Sequence, residues 1–368
     1  MFIPRFLITN ETLKQVGVVE ACREVIEKAS LVSAWETKFR EDALIRAVHY
    51  GTHVEGNDLS LLEVEKLIRQ DPDREEAAVE VAKRAGVAAK EKDVQEVINY
   101  RNVLKYIDQL LAEKKSEEKV FAYKKEQLLQ IQALTVEKIV PRDEAGEFRT
   151  QQVVIRGVEK GEIVHRPPNA VEVPYQGDEL FFWLNSRATR ELHPVLKAAV
   201  VLYELSRIHP FTIGNGRTAR ALGLLILAVE GIDGRRFFSI EENFDKNIND
   251  YYKAFVEVAK RGGDMGSWIE FFSRALAVEM SKVKEKVERL SLDSHKIGHV
   301  AQSVPLNSRQ IKLIEFLESN ETMTMTQARQ ILPSVSDDTV LRDLKDLIRK
   351  VIITKKGRTK GARYFLKR

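Results

Sequence analysis

His209-Pro-Phe-Thr-Ile-Gly-Asn-Gly-Arg-Thr-Ala-Arg220 brings together, within one short stretch, the residue types that handle a phosphate chain. Gly214 and Gly216 flank Asn215 at the mouth of an apolar helical run. Glycines there let the backbone approach a ligand closely, and the first N–H groups of a helix lack partners within it. Arg217 and Arg220 are three apart, so they share one face of the first turn. The helix dipole disfavours two fixed cations at that end, and a bound phosphate chain would relieve the cost. His209 stands five residues ahead of Gly214 and is suited to act as general base on an incoming hydroxyl. A lone histidine in such a place more ordinarily caps a helix end. Its coincidence with Gly-Asn-Gly-Arg and a second arginine reverses that reading, while Pro210 and Phe211 are expected to shape the loop.

One rival shares these residues, because Gly214, Gly216 and Ala219 also satisfy a relaxed dinucleotide-binding fingerprint. That fingerprint should follow a strand, whereas VLKAAVVLYELSRIH is long enough to be a helix. No GxxxxGK[ST] string occurs in the chain.

The elements that must position this loop read as helices. Helices are predicted from Val16 to Ile68, punctuated by Gly51 and Gly56, then along the stripe Val94, Val97, Ile98, Leu104, Ile107 and Leu110, and over Lys124 to Thr135. After Gly146, EFRTQQVVIRGVEKGEIVHRPP holds two β-prone runs and predicts a hairpin. Helical spacing returns over Asp178 to Asn185, Pro194 to Ile208 and Thr218 to Glu230, and continues to about Leu290. The polar stretch to Ser308 reads as a linker.

From Asn307 three short helices are predicted, the third running from the N-cap Ser336 to Lys350, and VIIT and RYFL read as strands around KKGRTKGA. The 14 Lys+Arg against 7 Asp+Glu in residues 301 to 368 suggest a module that faces a polyanion.

The stretch from His209 to Arg220 resembles the signature of the Fic family, HxFx(D/E)GNGRxxR, matching at His209, Phe211, Gly214, Asn215, Gly216, Arg217 and Arg220. The resemblance extends through GEFRTQQVVI, which is similar to the family's flap, and through Tyr251-Tyr252 and Trp268 to Phe272, which resemble its closing helices. It implies a mainly α fold: a Fic-type helical core with a β-hairpin flap. Members typically transfer AMP from ATP to a Ser, Thr or Tyr hydroxyl of a protein. In that scheme His209 is the catalytic base. Gly214, Asn215, Gly216, Arg217, Arg220 and Tyr252 would bind the nucleotide, and Val153, Val154 and Ile155 would dock the target segment by strand pairing.

One position departs from the pattern. Ile213 stands where the family has Asp or Glu, the expected Mg²⁺ ligand, and isoleucine cannot coordinate a hard cation. Mg²⁺ binding through phosphates and water is expected to be weakened. Three readings stay open: a transferase with relaxed metal use, transfer from another phosphate-containing donor, or nucleotide binding without effective turnover.

Many relatives carry an inhibitory helix of pattern (S/T)xxxE(G/N), whose glutamate pairs with the second motif arginine. Thr52-His-Val-Glu55-Gly56-Asn57 resembles it, although Gly51 occupies the Ser/Thr place. Glu55 is therefore expected to approach Arg220. His49 and His53, and His295 and His299, form i,i+4 pairs of the kind that bind zinc, but neither brings a third ligand pattern. Both pairs read as surface residues, and no metal site is predicted.

The C-terminal pattern resembles a winged helix-turn-helix domain. In such a domain Thr339, Arg342, Lys345 and Arg349 would face DNA from the third helix, and Lys355, Lys356, Arg358 and Lys360 would contact phosphates from the wing. Asp337, Asp338, Asp343 and Asp346 temper that reading, and winged helices also bind proteins. The expected organisation is a helical segment with the inhibitory residue at 1–90, a Fic core at 91–290, a linker at 291–305 and the winged helix at 306–368. A DNA-binding regulator that only senses nucleotide is the competing class.

With 368 residues, 43% hydrophobic and 31% charged, the chain has the composition of a globular protein of two or three domains. No apolar run approaches the ~20 residues of a membrane span, and the start lacks a signal-peptide core, so a cytoplasmic location is expected. The single cysteine, Cys22, excludes an intrachain disulfide and reads as a packing residue. The expected partners are a protein substrate and DNA, with no membrane; a homo-oligomer stays open.

Overall fold

The computed structural model describes residues 2–29, 31, 33–116, 120–156, 163–296, 306–333, 335–357 and 362–367. It is mainly helical, and it divides into two compact units: residues 1–27 with 42–282, and residues 28–41 with 283–368.

In the first unit the chain runs through α1 (Asn10–Lys28), α2 (Ser33–His53), α3 (Leu61–Ile68), α4 (Ala78–Ala85), α5 (Glu91–Ser116) and α6 (Lys125–Thr135). The strands β1 (Ile155–Arg156) and β2 (Ile163–His165) follow, then α7 (Val173–Leu184), α8 (Arg187–Arg190), α9 (Pro194–Ile208), α10 (Asn215–Val229), α11 (Glu241–Lys246), α12 (Ile248–Lys260) and α13 (Gly266–Lys296). The long helices α2 and α13 contribute residues to both units.

The centre is the pair α9 and α10, whose side chains are buried along nearly their whole length. A helix that is apolar all round can only be stable when surrounded, and α5 and α6 pack against α10. Pro194 sits in the first turn of α9, where its missing N–H costs nothing. The helix ends on His209, whose backbone is left-handed at φ 51°. α10 opens at Asn215, three residues before the periodic apolar run begins, because Gly214 at φ 80° makes the turn that starts it. Likewise α7 starts at Val173, five residues ahead of the expected Asp178, with Pro174 in its first turn. Cys22 is buried at 2% exposure, as its packing role requires.

Gly51 does not punctuate a helix. It lies inside α2, where a Cβ would stand 2.3 Å from the Tyr100 ring of α5, so a side chain there cannot fit while α2 keeps this approach. Gly56, at φ 89°, does end the segment.

β1 and β2 pair antiparallel, with Ile155 opposite His165 and Arg156 opposite Ile163. Val153 and Val154 precede the strand, so only Ile155 of the expected docking run lies in the ladder, and residues 157–162 fall outside the described residues. Residues 291–296, expected to begin the linker, continue α13, since nothing before Gly298 interrupts the helix. His295 lies in that helix; His299 falls outside the described residues.

The second unit contains α14 (Ser308–Ser319), β3 (Met323–Thr324), α15 (Met325–Ile331), α16 (Asp337–Arg349), β4 (Ile353–Lys356) and β5 (Arg363–Leu366), with the sheet ordered β3-β5-β4. Asn307, Thr324 and Ser336 cap the three helices by accepting from backbone N–H groups three residues on. β3 was not expected: it is two residues long, and its Thr324 is also the N-cap of α15. Ile311, Leu313, Leu317, Val340, Leu344, Leu347, Ile353 and Tyr364 form the core. Lys38, from the start of α2, pairs with Glu315.

Trp268 of α13 is fully buried and its Nε1 donates to the Ala199 carbonyl of α9 at 2.7 Å. Trp268→Ala should cost about 3–5 kcal/mol of unfolding free energy, read from the denaturant midpoint at unchanged slope.

Candidate phosphate-binding and proton-transfer site

The loop between α9 and α10 is shaped before any ligand is considered. Asn215 accepts from the Phe211 N–H at 2.8 Å through Oδ1 and donates to the Phe211 carbonyl at 2.7 Å through Nδ2. Its amide therefore braces the loop, a role the resemblance did not imply. Phe211 is itself buried and Gly214 lies against Val136 and Thr135, where a Cβ would come within 3.0 Å.

Arg149, from the stretch that leads into β1, holds the other side. It is 4% exposed, its Nε donates to the His209 carbonyl at 2.8 Å, and its other nitrogens donate to the carbonyls of Gln151, Pro168 and Ile208. Its own N–H donates to the Pro210 carbonyl at 2.9 Å. A buried arginine spending all its donors on carbonyls is invisible to motif or period, because carbonyls have no residue type.

Arg217 and Arg220 are both buried, at 4% and 2% exposure. Arg217 Nη2 donates to Glu96 Oε1 at 3.2 Å, while its Nε and Nη1 have no protein partner; Arg220 Nε is also unpartnered. Orphaned guanidinium donors in a low-dielectric setting are costly, and an anion would satisfy them.

Glu55 comes from the turn after α2 to meet Arg220: Arg220 Nη1 donates to its Oε1 at 3.0 Å, and Arg220 Nη2 donates to the Gly51 carbonyl at 2.8 Å. The same Oε1 lies 2.0 Å from where a Gly216 Cβ would be, so the carboxylate occupies the first turn of α10. Burial opposes its ionisation, but Arg220 and then Arg217 outweigh that and hold the carboxyl below its usual range. Gly51, at the place where the family pattern has Ser or Thr, thus supplies a carbonyl to Arg220 and a surface for Tyr100. Tyr100 in turn donates to the fully buried Glu241 at 3.1 Å.

His209 has its pKa lowered to about 4, chiefly by burial, so its imidazole is neutral at pH 7 and able to accept a proton. Tyr252 is 49% exposed and packs edge-on against the buried Tyr251, 5.4 Å between ring centroids. Burial first, then Glu55, raises the Tyr252 pKa. His165, at the end of β2, bonds the Arg207 carbonyl at 2.8 Å and stacks edge-on with Phe255.

Ile213 is 40% exposed and its carbonyl accepts from Gln132 Nε2 at 3.2 Å. The residues of this loop do not fit a protein-held Mg²⁺. His49 is buried rather than at the surface, and His53 Nδ1 lies 2.6 Å from Asp245 Oδ1. Even so, no group of three metal-ligating side chains is placed to hold an ion among the described residues.

In the second unit Arg342, Lys345 and Arg349 are exposed along α16, and Thr339 sits in its first turn; Arg358 falls outside the described residues. The neighbouring acids have other work. Asp343 is buried against Arg309 at 2.6 Å, Asp346 accepts from Gln310 and Arg349, and Asp337 pairs with Arg329.

Residues 122–227 match the Fic/DOC family. The chain carries a Fic/DOC family domain. It is 28% identical over 201 residues to the protein adenylyltransferase Fic of Aedes aegypti, covering 54% of this chain and 35% of that protein. To the protein of the same name in Drosophila virilis it is 28% identical over 281 residues, covering 72% and 51%. The chain thus spans about a third to a half of the length of these relatives. Among solved structures, a Fic family protein from Desulfovibrio desulfuricans superposes with a TM-score of 0.64 at 21% identity, covering 100% of this chain and 98% of that one. Fic-1 of C. elegans superposes with a TM-score of 0.54 at 23% identity, covering 77% and 73%. These two likenesses concern the fold. Among the described residues, no helix is long and apolar enough to cross a membrane.

Because His209 is more acidic folded than unfolded, the native state binds fewer protons between about pH 6.5 and pH 4. Its contribution to stability is complete above pH 6.5 and falls as the pH drops through that window. His209→Gln should flatten this part of the stability–pH curve, measured by denaturation at each pH.

Proposed function

We propose that the protein is an AMP transferase that uses ATP and modifies a Ser, Thr or Tyr hydroxyl of a protein target, and that Glu55 holds it in check. The observation that carries this reading is the buried arginine pair at the start of α10, with unpartnered nitrogens on both and a carboxylate in contact with one of them. The names of the insect relatives support a transferase and imply ATP as its substrate.

In this reading the N–H groups of Gly216 and Arg217 and the two guanidinium groups hold the phosphate chain, and Gly214 and Gly216 let it come close. Val153, Val154 and Ile155 offer backbone to an extended target segment beside β1, and Tyr252 lines the nucleotide. Neutral His209 takes the proton of the target hydroxyl as its oxygen attacks the α-phosphorus. The bond to the β-phosphate oxygen breaks, and pyrophosphate leaves with its charge held by Arg217 and Arg220. Glu55 on Arg220 occupies the place of terminal phosphate and keeps the donor from this alignment.

The topology helix, strand, helix, helix, strand, strand with order β3-β5-β4 supports reading the second unit as a winged helix. Its exposed Arg342 and Lys345, with Asp343 turned inward to Arg309, favour duplex DNA as ligand.

Label transfer from α-labelled ATP tests the enzyme. Glu55→Gly should raise transfer at least about tenfold, and adding His209→Ala should lower it by the ~10²–10⁴ that a general base contributes, to the edge of detection. Label undiminished by His209→Ala would defeat the assignment. For the second unit, Arg342→Ala with Lys345→Ala should weaken binding of a labelled duplex and reduce the slope of log K against log salt by about 2, followed by anisotropy.

A further inference from the structure

We propose that Glu96 of α5 is a positioning residue whose two oxygens join the orientation of Arg217 to the seating of the turn that carries Glu55, with Asn57 as the latch. The proposal rests on the reading of Glu55 as a brake.

Glu96 is 6% exposed. Its Oε1 accepts from Arg217 Nη2 at 3.2 Å, and its Oε2 accepts from Asn57 Nδ2 at 3.0 Å. The other cation near it, Lys92 Nζ, is 4.0 Å from Oε1 on a side chain 67% exposed, so Arg217 is the charge partner that makes burial of this carboxylate tolerable. With Nη2 tied to Glu96, the planar guanidinium is fixed about its stem, and Nε and Nη1 are left for a ligand.

Asn57 is 2% exposed and fully engaged. Besides Glu96, its Nδ2 donates to the Asp93 carbonyl at 3.0 Å and its Oδ1 accepts from the Leu59 N–H at 3.2 Å. Between Asn57 and Glu55 stands only Gly56, at φ 89°. Backbone bonds to Tyr50, Thr52 and His53 also hold the turn. Glu55 itself has one ion pair, to Arg220 of α10. The side-chain anchor that ties its turn to α5 is Asn57. The carboxylate that receives it is the same one that aims the other arginine.

The test uses the full chain and competition of ATP against a fluorescent ATP analogue. Asn57→Ala, which retains Glu55 and both arginines, should tighten ATP binding about fivefold or more, a gain that a folding defect does not produce. In a Glu55→Gly background the same change should matter by less than about twofold, because the brake it seats is gone. Equal gains in both backgrounds, or none in Asn57→Ala alone, overturn the latch. In the Glu55→Gly background Glu96→Gln should lower the kcat of transfer about tenfold with KM for ATP within about threefold, and Glu96→Asp should recover part of the loss; an unchanged kcat overturns the positioning role. Hydrogen exchange without nucleotide separates this proposal from the reading it rests on. Amides of residues 52–57 should lose protection in both Asn57→Ala and Glu96→Gln, and unchanged protection refutes the latch whatever ATP does. If Glu55→Gly leaves ATP affinity unaltered, it is the brake reading that fails.

Discussion

Two guanidinium groups buried at the positive end of α10 are the constraint to which the rest of the first unit answers. Burying a charge is expensive unless it is paired, and the dipole of α10 adds to the cost. The structure meets it from separate elements: Glu96 from α5 reaches Arg217, while Glu55 and the Gly51 carbonyl from the α2 end reach Arg220. Neither pairing exhausts the donors. What is left over is a site with net demand for negative charge, built on the most deeply buried helix of the fold.

Close approach explains several residues that otherwise look interchangeable. Gly216 admits a carboxylate against the backbone, Gly214 turns the chain beside Val136, and Gly51 lets α2 lie on Tyr100. The last case also accounts for the departure from the inhibitory pattern: a Ser or Thr at Gly51 would meet the Tyr100 ring. Glu55 keeps its partner although the residue four places before it has changed, because the contact depends on where the turn lies and not on that side chain.

Much of the site was legible because its residues are contiguous. Twelve positions in a row carry His209, the glycines and both arginines, and Glu55 four residues after Gly51 carried a pattern of its own. The helices α9 and α10 were legible from their continuous apolar runs. Arg149, Glu96 and Asn57 were not, since they act on backbone carbonyls or on side chains that are mostly far away along the chain. The start of α10 was missed because Asn215 and Gly216 have poor helix propensity, and Gly214 decides that boundary by conformation alone. Asp343 of α16 is turned inward to Arg309, while Asp337 pairs with Arg329 and Asp346 with the exposed Arg349. On a helix, residues at 342, 345 and 349 face away from 343, and only the tertiary partner Arg309 tells which face is inside.

The bracing of Phe211 by Asn215 bears on time as well as on shape. A side-chain amide that takes both the N–H and the carbonyl of Phe211 makes the loop rigid in the empty protein, so its ordering entropy is lost on folding rather than on ligand entry. Arrival of an anion then involves no folding of the loop. If Glu55 acts as the proposed brake, the slow event is departure of that carboxylate, and the observed association rate should level off with ligand concentration at the frequency with which the 52–57 turn opens.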